Sequence, residues 1–131
     1  MIKILIITHG NLAKEFVQIA EAMIGKPIDV IPVCLDMNLG QEAHTGEITD
    51  LIKSFDSDQK VIVLTDLFGG TPSNITIPLI EKDRIEVITG INLPMLLYIL
   101  SQSKEKGFSE ICKGAKKASQ DAVIIAGEFL S

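Results

Sequence analysis

Two apolar runs of the chain lead to residues that could do chemistry together. Residues 4–7 lead to His9, and residues 61–64 lead to Asp66. A carboxylate beside an imidazole can accept the proton of one ring nitrogen, which fixes the tautomer and stabilises positive charge on the ring. The other ring nitrogen is then a nucleophile near neutral pH, and histidine can form covalent intermediates. The pair therefore predicts a nucleophilic histidine oriented by an aspartate.

A glycine-rich turn directly after Asp66 could hold an anion. Gly69 and Gly70 let the main chain approach a ligand closely, and a helix that begins near Thr71 aims unpaired N–H groups outward. Together with the hydroxyl groups of Thr71 and Ser73, this turn predicts a phosphoryl-binding site. It is not a Walker loop, because the Gly-Lys-Ser/Thr ending is missing, and the chain has no G-x-G-x-x-G fingerprint.

Simpler roles for these residues stay open on the sequence alone. A histidine that ends a strand is often a hydrogen-bonded turn residue, Asp66 could cap a loop, and residues 69–72 could form only a tight turn. His44 lies among polar neighbours early in a helix and is predicted to be exposed. The two histidines and two scattered cysteines have no metal-ligand spacing, so neither a metal nor a cofactor is predicted.

The composition indicates one domain, residues 1–131, with an aliphatic core. Hydrophobic residues make up 47% of the chain, with no Trp and one Tyr. The net charge of −5 gives no basic surface, which argues against nucleic acid as a partner. No apolar run reaches the ~20 residues of a membrane span, and no signal peptide is recognised, so a cytoplasmic protein is expected. Cys34 and Cys112 are predicted to be buried thiols rather than a disulfide.

Strands and helices must alternate to position these residues. The aliphatic runs lack a polar face, which is typical of strands covered on both sides in a parallel sheet. Strands are predicted over residues 4–7, 28–35, 61–64, 84–89 and 122–126. Helices are predicted over residues 11–24, 42–55, 71–80, 94–100 and 108–119.

Polar residues and prolines mark the expected helix starts. Asn11 is predicted to be the N-cap of the first helix, and Thr71 followed by Pro72 is typical of an N-cap and first helical residue. The segment 92–95 is equally compatible with a helix start and with a binding loop.

The order of elements predicts an open, doubly wound α/β fold with helices on both faces of a mainly parallel sheet. Pro32 indicates an edge strand, which favours the strand order 2-1-3-4. In that order the first and third strands are neighbours whose connections leave in opposite directions, and ligands bind in the crevice between their carboxyl ends. Since His9 and Asp66 follow those two strands, we expect them to meet there.

Three segments together resemble one protein family. They are Thr8-His9-Gly10 after the first strand, Asp66 to Asn74, and Gly90 to Met95. In the same order, they are similar to the signatures of the mannose-family IIA component of the bacterial sugar phosphotransferase system. The resemblance extends over essentially the whole chain.

This resemblance implies a phosphoryl carrier. His9 would accept a phosphoryl group from the phosphocarrier HPr and pass it to a IIB component, which serves the membrane components IIC and IID. Asp66 would hold the imidazole, and residues 69–74 would donate hydrogen bonds to the phosphoryl oxygens. The resemblance also implies a homodimer in which the last strand lies along the sheet of the partner, and residues 122–126 suit that role. IIB would be a separate polypeptide.

Successive docking of two proteins requires a shallow site with an apolar rim. The rim is predicted to consist of Phe68, Leu93, Pro94 and Met95. Three other functions stay open: the phosphoryl-donor subunit of dihydroxyacetone kinase, a hydrolase that breaks phosphohistidine, and a non-catalytic anion-binding regulatory module.

Overall fold

A computed structural model of the chain describes residues 1–102 and 105–130. In this part of the chain, four strands form the sheet: β1 (Ile2–His9), β2 (Val30–Leu35), β3 (Lys60–Thr65) and β4 (Ile85–Thr89). The α-helices are α1 (Leu12–Ile24), α2 (Gln41–Lys53), α3 (Thr71–Thr76), α4 (Leu93–Ser101) and α5 (Phe108–Asp121). Short 3-10 helices cover Ile77–Leu79 and Ala126–Leu130. None of the helices in the described ranges reaches the length and apolar character needed to cross a membrane.

The sheet is parallel, with the strand order β2-β1-β3-β4. The predicted order is therefore confirmed, and Pro32 lies on an edge strand, where its missing N–H costs no interior hydrogen bond. Ile7 pairs with Thr65, the last residue of β3, so that His9 extends beyond the end of that strand. The register places His9 at the carboxyl rim of the sheet.

Alternate residues of the central strands face two different helical layers. The layer of α1, α4 and α5 packs against Ile4, Ile6, Ile62 and Leu64. The layer of α2 and α3 packs against Leu5, Ile7, Val61 and Val63. Burial on both faces explains the continuous aliphatic runs, because each such side chain gains about 1.5–3 kcal/mol relative to an exposed position. These two strands form a rigid base for the residues that follow them.

Helix α1 is tied directly to the end of β1. Asn11 occupies the N-cap position, as predicted, but its side chain makes no capping hydrogen bond. Instead, the Oγ1 of Thr8, which is fully buried, accepts a hydrogen bond from the Ala13 N–H at 2.7 Å. The residue just before His9 is thus fixed both by the sheet and by the first turn of α1.

The observed start of α3 differs by one residue from the predicted start, and the start of α4 decides between two predicted alternatives. Gly70, rather than Thr71, is the N-cap of α3, so Thr71 is the first helical residue. The helix predicted to reach residue 80 changes to a 3-10 helix after Thr76, because Pro78 has no N–H and its ring disfavours a continuing α-helix. At α4, Asn92 accepts a hydrogen bond from the Met95 N–H at 2.9 Å, so this segment is a capped helix start.

Two burial predictions are wrong. His44 was expected to be exposed, but it lies four and eight residues before Ile48 and Ile52 and shares their buried face of α2. Cys34 was expected to be buried, but it lies on the outward face of the edge strand β2 and is exposed.

Cys112 is half-buried, and burial together with the nearby Glu86 carboxylate raises the pKa of its thiol to about 11. Both cysteines are free thiols, so no disulfide joins them.

The strand predicted over residues 122–126 is absent from the single chain. Residues 123–125 have no regular structure, and the following residues form the 3-10 helix Ala126–Leu130. A strand needs a neighbouring edge for its N–H and C=O groups, and in the described ranges no strand pairs with this segment. The predicted exchange of this segment in a dimer involves a second copy and stays a prediction.

Candidate functional site

His9 and Asp66 meet at the carboxyl rim of the sheet, as the strand order predicts. His9 Nδ1 lies 2.9 Å from Asp66 Oδ2, and the main-chain N–H of His9 donates to the same oxygen at 3.1 Å. The His9 side chain is 31% exposed, whereas that of Asp66 is 13% exposed. One carboxylate oxygen therefore fixes both the backbone and the ring of the histidine, and the ring remains accessible.

The contact selects one tautomer of the His9 ring. An ionised carboxylate can only accept hydrogen bonds, so the ring proton resides on Nδ1. Nε2 then carries a lone pair and is the nitrogen available as a nucleophile. Asp66 Oδ1 is buried and has no hydrogen-bond partner in the described part of the chain. The hydrogen bonds of this carboxylate are thus directed to His9.

The turn after Asp66 closes over the edge of the His9 ring. The N–H of Gly70 donates to the carbonyl oxygen of Leu67 at 3.3 Å, and Gly69 has a φ of +85°, which glycine adopts without a steric penalty. A Cβ built on Gly70 would lie 2.7 Å from His9 Cε1 and 3.3 Å from Nε2. A larger residue at position 70 would therefore force the ring or the turn to move.

The two hydroxyl groups predicted to bind a phosphoryl group differ in their surroundings. Thr71 is half-buried, and in the described ranges its hydroxyl has no hydrogen-bond partner. Ser73 is fully buried and donates to the Leu67 carbonyl oxygen at 2.6 Å. In this structure the Ser73 hydroxyl faces inward and its single proton is already donated, so the predicted contact of Ser73 with a phosphoryl group finds no support here.

Most of the predicted docking rim is accessible. Phe68 is 75% exposed, Pro94 is exposed and Leu93 is half-buried. Met95 is 2% exposed and packs in the core with Ile99, one turn later on α4, so its assignment to the rim is wrong.

Sequence reasoning missed two exposed apolar residues near the site. Leu67 is 59% exposed at the start of the turn after Asp66. Met37 is 73% exposed, and its Sδ lies 3.9 Å from where a Cβ of Gly10 would be. The signal for Met37 was an apolar side chain inside an otherwise polar loop.

The described ranges contain no group of three or more His, Cys, Asp or Glu side chains that could hold a metal ion.

Comparison with known families identifies the chain. Residues 3–116 match the family model EIIA-man, which is described as the PTS system fructose IIA component. The chain belongs to this family. The match includes β1 with His9, Asp66 with its glycine turn, and the start of α4, which are the three segments that carried the resemblance in the sequence. The family resemblance is therefore confirmed.

Individual proteins similar to this chain span different lengths. The PTS system fructose-specific EIIA component of Bacillus subtilis (strain 168) is 27% identical over 131 residues, which cover 99% of this chain and 90% of that protein. The PTS system mannose-specific EIIAB component of Escherichia coli (strain K12) is 29% identical over 126 residues, which cover 93% of this chain but 38% of that protein. This chain therefore corresponds to a minor part of the longer EIIAB relative.

The fold of this chain is also found in solved structures. The phosphotransferase system component EIIA from Streptococcus agalactiae superposes with a TM-score of 0.84 at 24% sequence identity, covering 98% of this chain and 99% of that one. At this identity the similarity concerns the fold, and it agrees with the doubly wound sheet described above.

Proposed function

We propose that this protein is a phosphoryl carrier, in which His9 accepts a phosphoryl group from phospho-HPr and passes it to a IIB component. The observation that carries the proposal is the 2.9 Å contact between His9 Nδ1 and Asp66 Oδ2, which leaves Nε2 free at an accessible rim. Membership of the EIIA-man family supports this reaction class. In this proposal the protein acts in the cytoplasm, and its link to IIC and IID runs through IIB.

Both transfers can proceed without moving the ring proton. The Nε2 lone pair attacks phosphorus, the bond from phosphorus to the donor breaks, and its electron pair leaves with the donor. Nδ1 keeps its proton, and the positive charge that develops on the ring is stabilised by the Asp66 carboxylate. In the second transfer IIB attacks phosphorus and the electron pair of the breaking bond returns to Nε2.

The phosphoryl oxygens would be received by the turn that precedes α3. The hydroxyl of Thr71 and the main-chain N–H groups of Gly69 and Thr71 are the proposed donors. The N–H of Gly70 already donates to Leu67 and is not counted among these donors. Because Gly70 has no side chain, the backbone of the turn can lie close to the His9 ring. These donors would align the phosphoryl group with Nε2 and stabilise its negative charge, and phosphoryl transfer depends mainly on such alignment and electrostatic stabilisation.

HPr and IIB would dock in turn on the apolar rim around His9. Phe68, Leu93 and Pro94 supply the part predicted from the sequence, and Met37 and Leu67 extend it on either side. Exposed apolar side chains around an accessible nucleophile are what a transient protein interface needs.

Incubation with phosphoenolpyruvate, enzyme I and HPr tests the carrier function. We expect an acid-labile phosphoryl group to accumulate on the chain when HPr is present and to be absent when HPr is omitted. When a IIB component is added, the phosphoryl group should pass to it. Release of inorganic phosphate without accumulation would instead support the hydrolase. Transfer to a dihydroxyacetone kinase but not to IIB would support a donor subunit of that kinase. Absence of any label would contradict the carrier and leave the anion-binding module.

We also propose that two copies pair through residues 122–126. Val123, Ile124 and Ile125 are 78%, 52% and 67% exposed. Within the described sheet β4 pairs with no strand other than β3, and on its other edge Ile85 forms an isolated bridge with Glu81, so the edge is free of a neighbouring strand beyond Ile85. An apolar segment and an open sheet edge would each find a partner in a second copy.

Light scattering of the full chain and of a chain ending at Asp121 tests this dimer. We expect the full chain to show twice its mass of 14.2 kDa and the shortened chain to be a monomer. Changing Val123, Ile124 and Ile125 to serine, which keeps the length, is the control and should also weaken the dimer. A shortened chain that stays dimeric would refute the exchange of this segment.

A further inference from the structure

A pair of hydroxyl groups is buried directly behind the site and has no role in the chemistry described so far. Thr65 and Ser73 are both 0% exposed, and Thr65 Oγ1 lies 2.8 Å from Ser73 Oγ. Ser73 Oγ in turn donates to the carbonyl oxygen of Leu67 at 2.6 Å. Thr65 ends β3 and Ser73 lies in α3, so the pair connects the sheet to the helix beneath the catalytic turn.

The direction of this relay follows from what each group can donate. A carbonyl oxygen accepts only, so the single proton of Ser73 must be donated to Leu67. Ser73 Oγ can then only accept from Thr65, whose hydroxyl is the donor. The order Thr65 to Ser73 to Leu67 is therefore fixed, and a satisfied buried network of this kind rigidifies its surroundings.

The relay surrounds the residue that orients the nucleophile. Thr65 and Leu67 are the two sequence neighbours of Asp66, so one serine hydroxyl contacts the side chain of the residue before that carboxylate and the main chain of the residue after it. The Leu67 oxygen also accepts from the N–H of Gly70, where an added Cβ would lie 2.7 Å from His9 Cε1. The same carbonyl group therefore follows Asp66, which holds the ring, and fixes Gly70, which lies close to it.

We propose that Ser73 is a positioning residue for phosphoryl transfer, which acts by holding Asp66 and Gly70 around the His9 ring. Its hydroxyl does not touch the reacting atoms. The effect on transfer rests on the proposed carrier function, whereas the effect on the ring belongs to the unphosphorylated protein. A small displacement of the ring matters, because an error of about 1 Å in the position of reacting groups can cost ~100-fold in rate.

A matched control lies in the same helix. Thr76 is also fully buried, and its hydroxyl donates to the Pro72 carbonyl oxygen at 2.8 Å, within α3 and away from the turn. Ser73→Ala and Thr76→Val each remove one buried hydroxyl from α3. Only Ser73→Ala removes a bond to the backbone next to Asp66.

Labelling by phospho-HPr is the first measurement. We expect Ser73→Ala to lower the rate of labelling about 10-fold and Thr76→Val to leave it within about twofold of the native rate, since the ring is displaced only in the first variant. Thr65→Val should lower the rate by less than Ser73→Ala does, because the bond from Ser73 to Leu67 remains, and Thr65→Ser, which keeps the donor, should be labelled at the native rate. Equal rates for Ser73→Ala and the native chain, or equal losses in Ser73→Ala and Thr76→Val, would overturn the proposal.

NMR of the unphosphorylated protein is the second measurement and separates positioning from stability. We expect Ser73→Ala to speed hydrogen exchange of the Gly70 amide about 10-fold and to shift the signal of the His9 Cε1–H group, whereas Thr76→Val changes neither. If Ser73→Ala shows the native exchange rate at Gly70 and the native His9 signal, the proposal is overturned. If the native protein is not labelled at all, the carrier function has failed, and the NMR comparison alone decides whether Ser73 positions the ring.

Discussion

We expect a His9→Gln variant to accept no phosphoryl group from phospho-HPr. Glutamine has a similar length and can still form a hydrogen bond with Asp66, so the rim should keep its shape. The lone pair of its amide nitrogen is delocalised into the carbonyl group, however, and cannot attack phosphorus. Labelling should therefore fall below detection, while circular dichroism remains that of the native protein.

The second histidine of the chain provides the matched control. The sequence contains two histidines, and His44 is buried on α2, with Nε2 at 3.4 Å from the Asp36 carbonyl oxygen. His44→Gln should be labelled at the native rate, although it loses some stability. Label on His9→Gln, or loss of label in a folded His44→Gln, would contradict the assignment of the nucleophile.

Asp66→Asn is expected to slow labelling by about 10- to 100-fold without abolishing it. The main-chain N–H of His9 donates to Oδ2, so the asparagine will place its carbonyl oxygen there and keep the proton on His9 Nδ1. The orientation of the His9 ring is thereby preserved, while the negative charge at position 66 is lost. Hydrogen bonds to a charged partner are about twice as strong as neutral ones, and each ~1.4 kcal/mol changes the rate tenfold.

The same variant should also lose stability. The amide nitrogen would occupy the place of Oδ1, which is buried and unpaired in the described structure. One unpaired buried atom thus replaces another, and the loss of stability comes from the two hydrogen bonds to His9, which lose their charged acceptor. Since a hydrogen bond to a charged group contributes about 1 kcal/mol more than a neutral one, the free energy of unfolding should fall by about 1–2 kcal/mol. Single-turnover labelling and urea unfolding measure the two effects. Asp121→Asn, at an exposed ion pair with Lys117, is the control for charge, and a native labelling rate in Asp66→Asn would remove Asp66 from the mechanism.

The meeting of His9 and Asp66 could be predicted because it depends on the order of the strands alone. Parallel strands end at the same rim, and Pro32 identified which strand lies at the edge. Once the order 2-1-3-4 was chosen, the residues that follow the first and third strands had to be neighbours. A slip of one or two residues at either strand end would not have separated them.

The inward positions of Ser73, Met95 and His44 could not be predicted in the same way. Helix α3 has six residues, too few to display a helical period, so nothing in the sequence separates its inner face from its outer face. Met95 lies in the first turn of α4, where a binding loop was an equal alternative. His44 shares a face with Ile48 and Ile52, a pattern outweighed in the prediction by its polar neighbours.

The oxygen that holds both the backbone and the ring of His9 has a consequence for how the proposed carrier would be driven. Because the proposed transfers consume neither a proton nor water at the ring, loading and unloading would be the same exchange in opposite directions. Such a site needs no resetting step between partners. The fraction of loaded protein would then follow the ratio of charged donor to empty acceptor, so the chain would act as a reversible store that reports how fast sugar uptake draws on the phosphoryl supply.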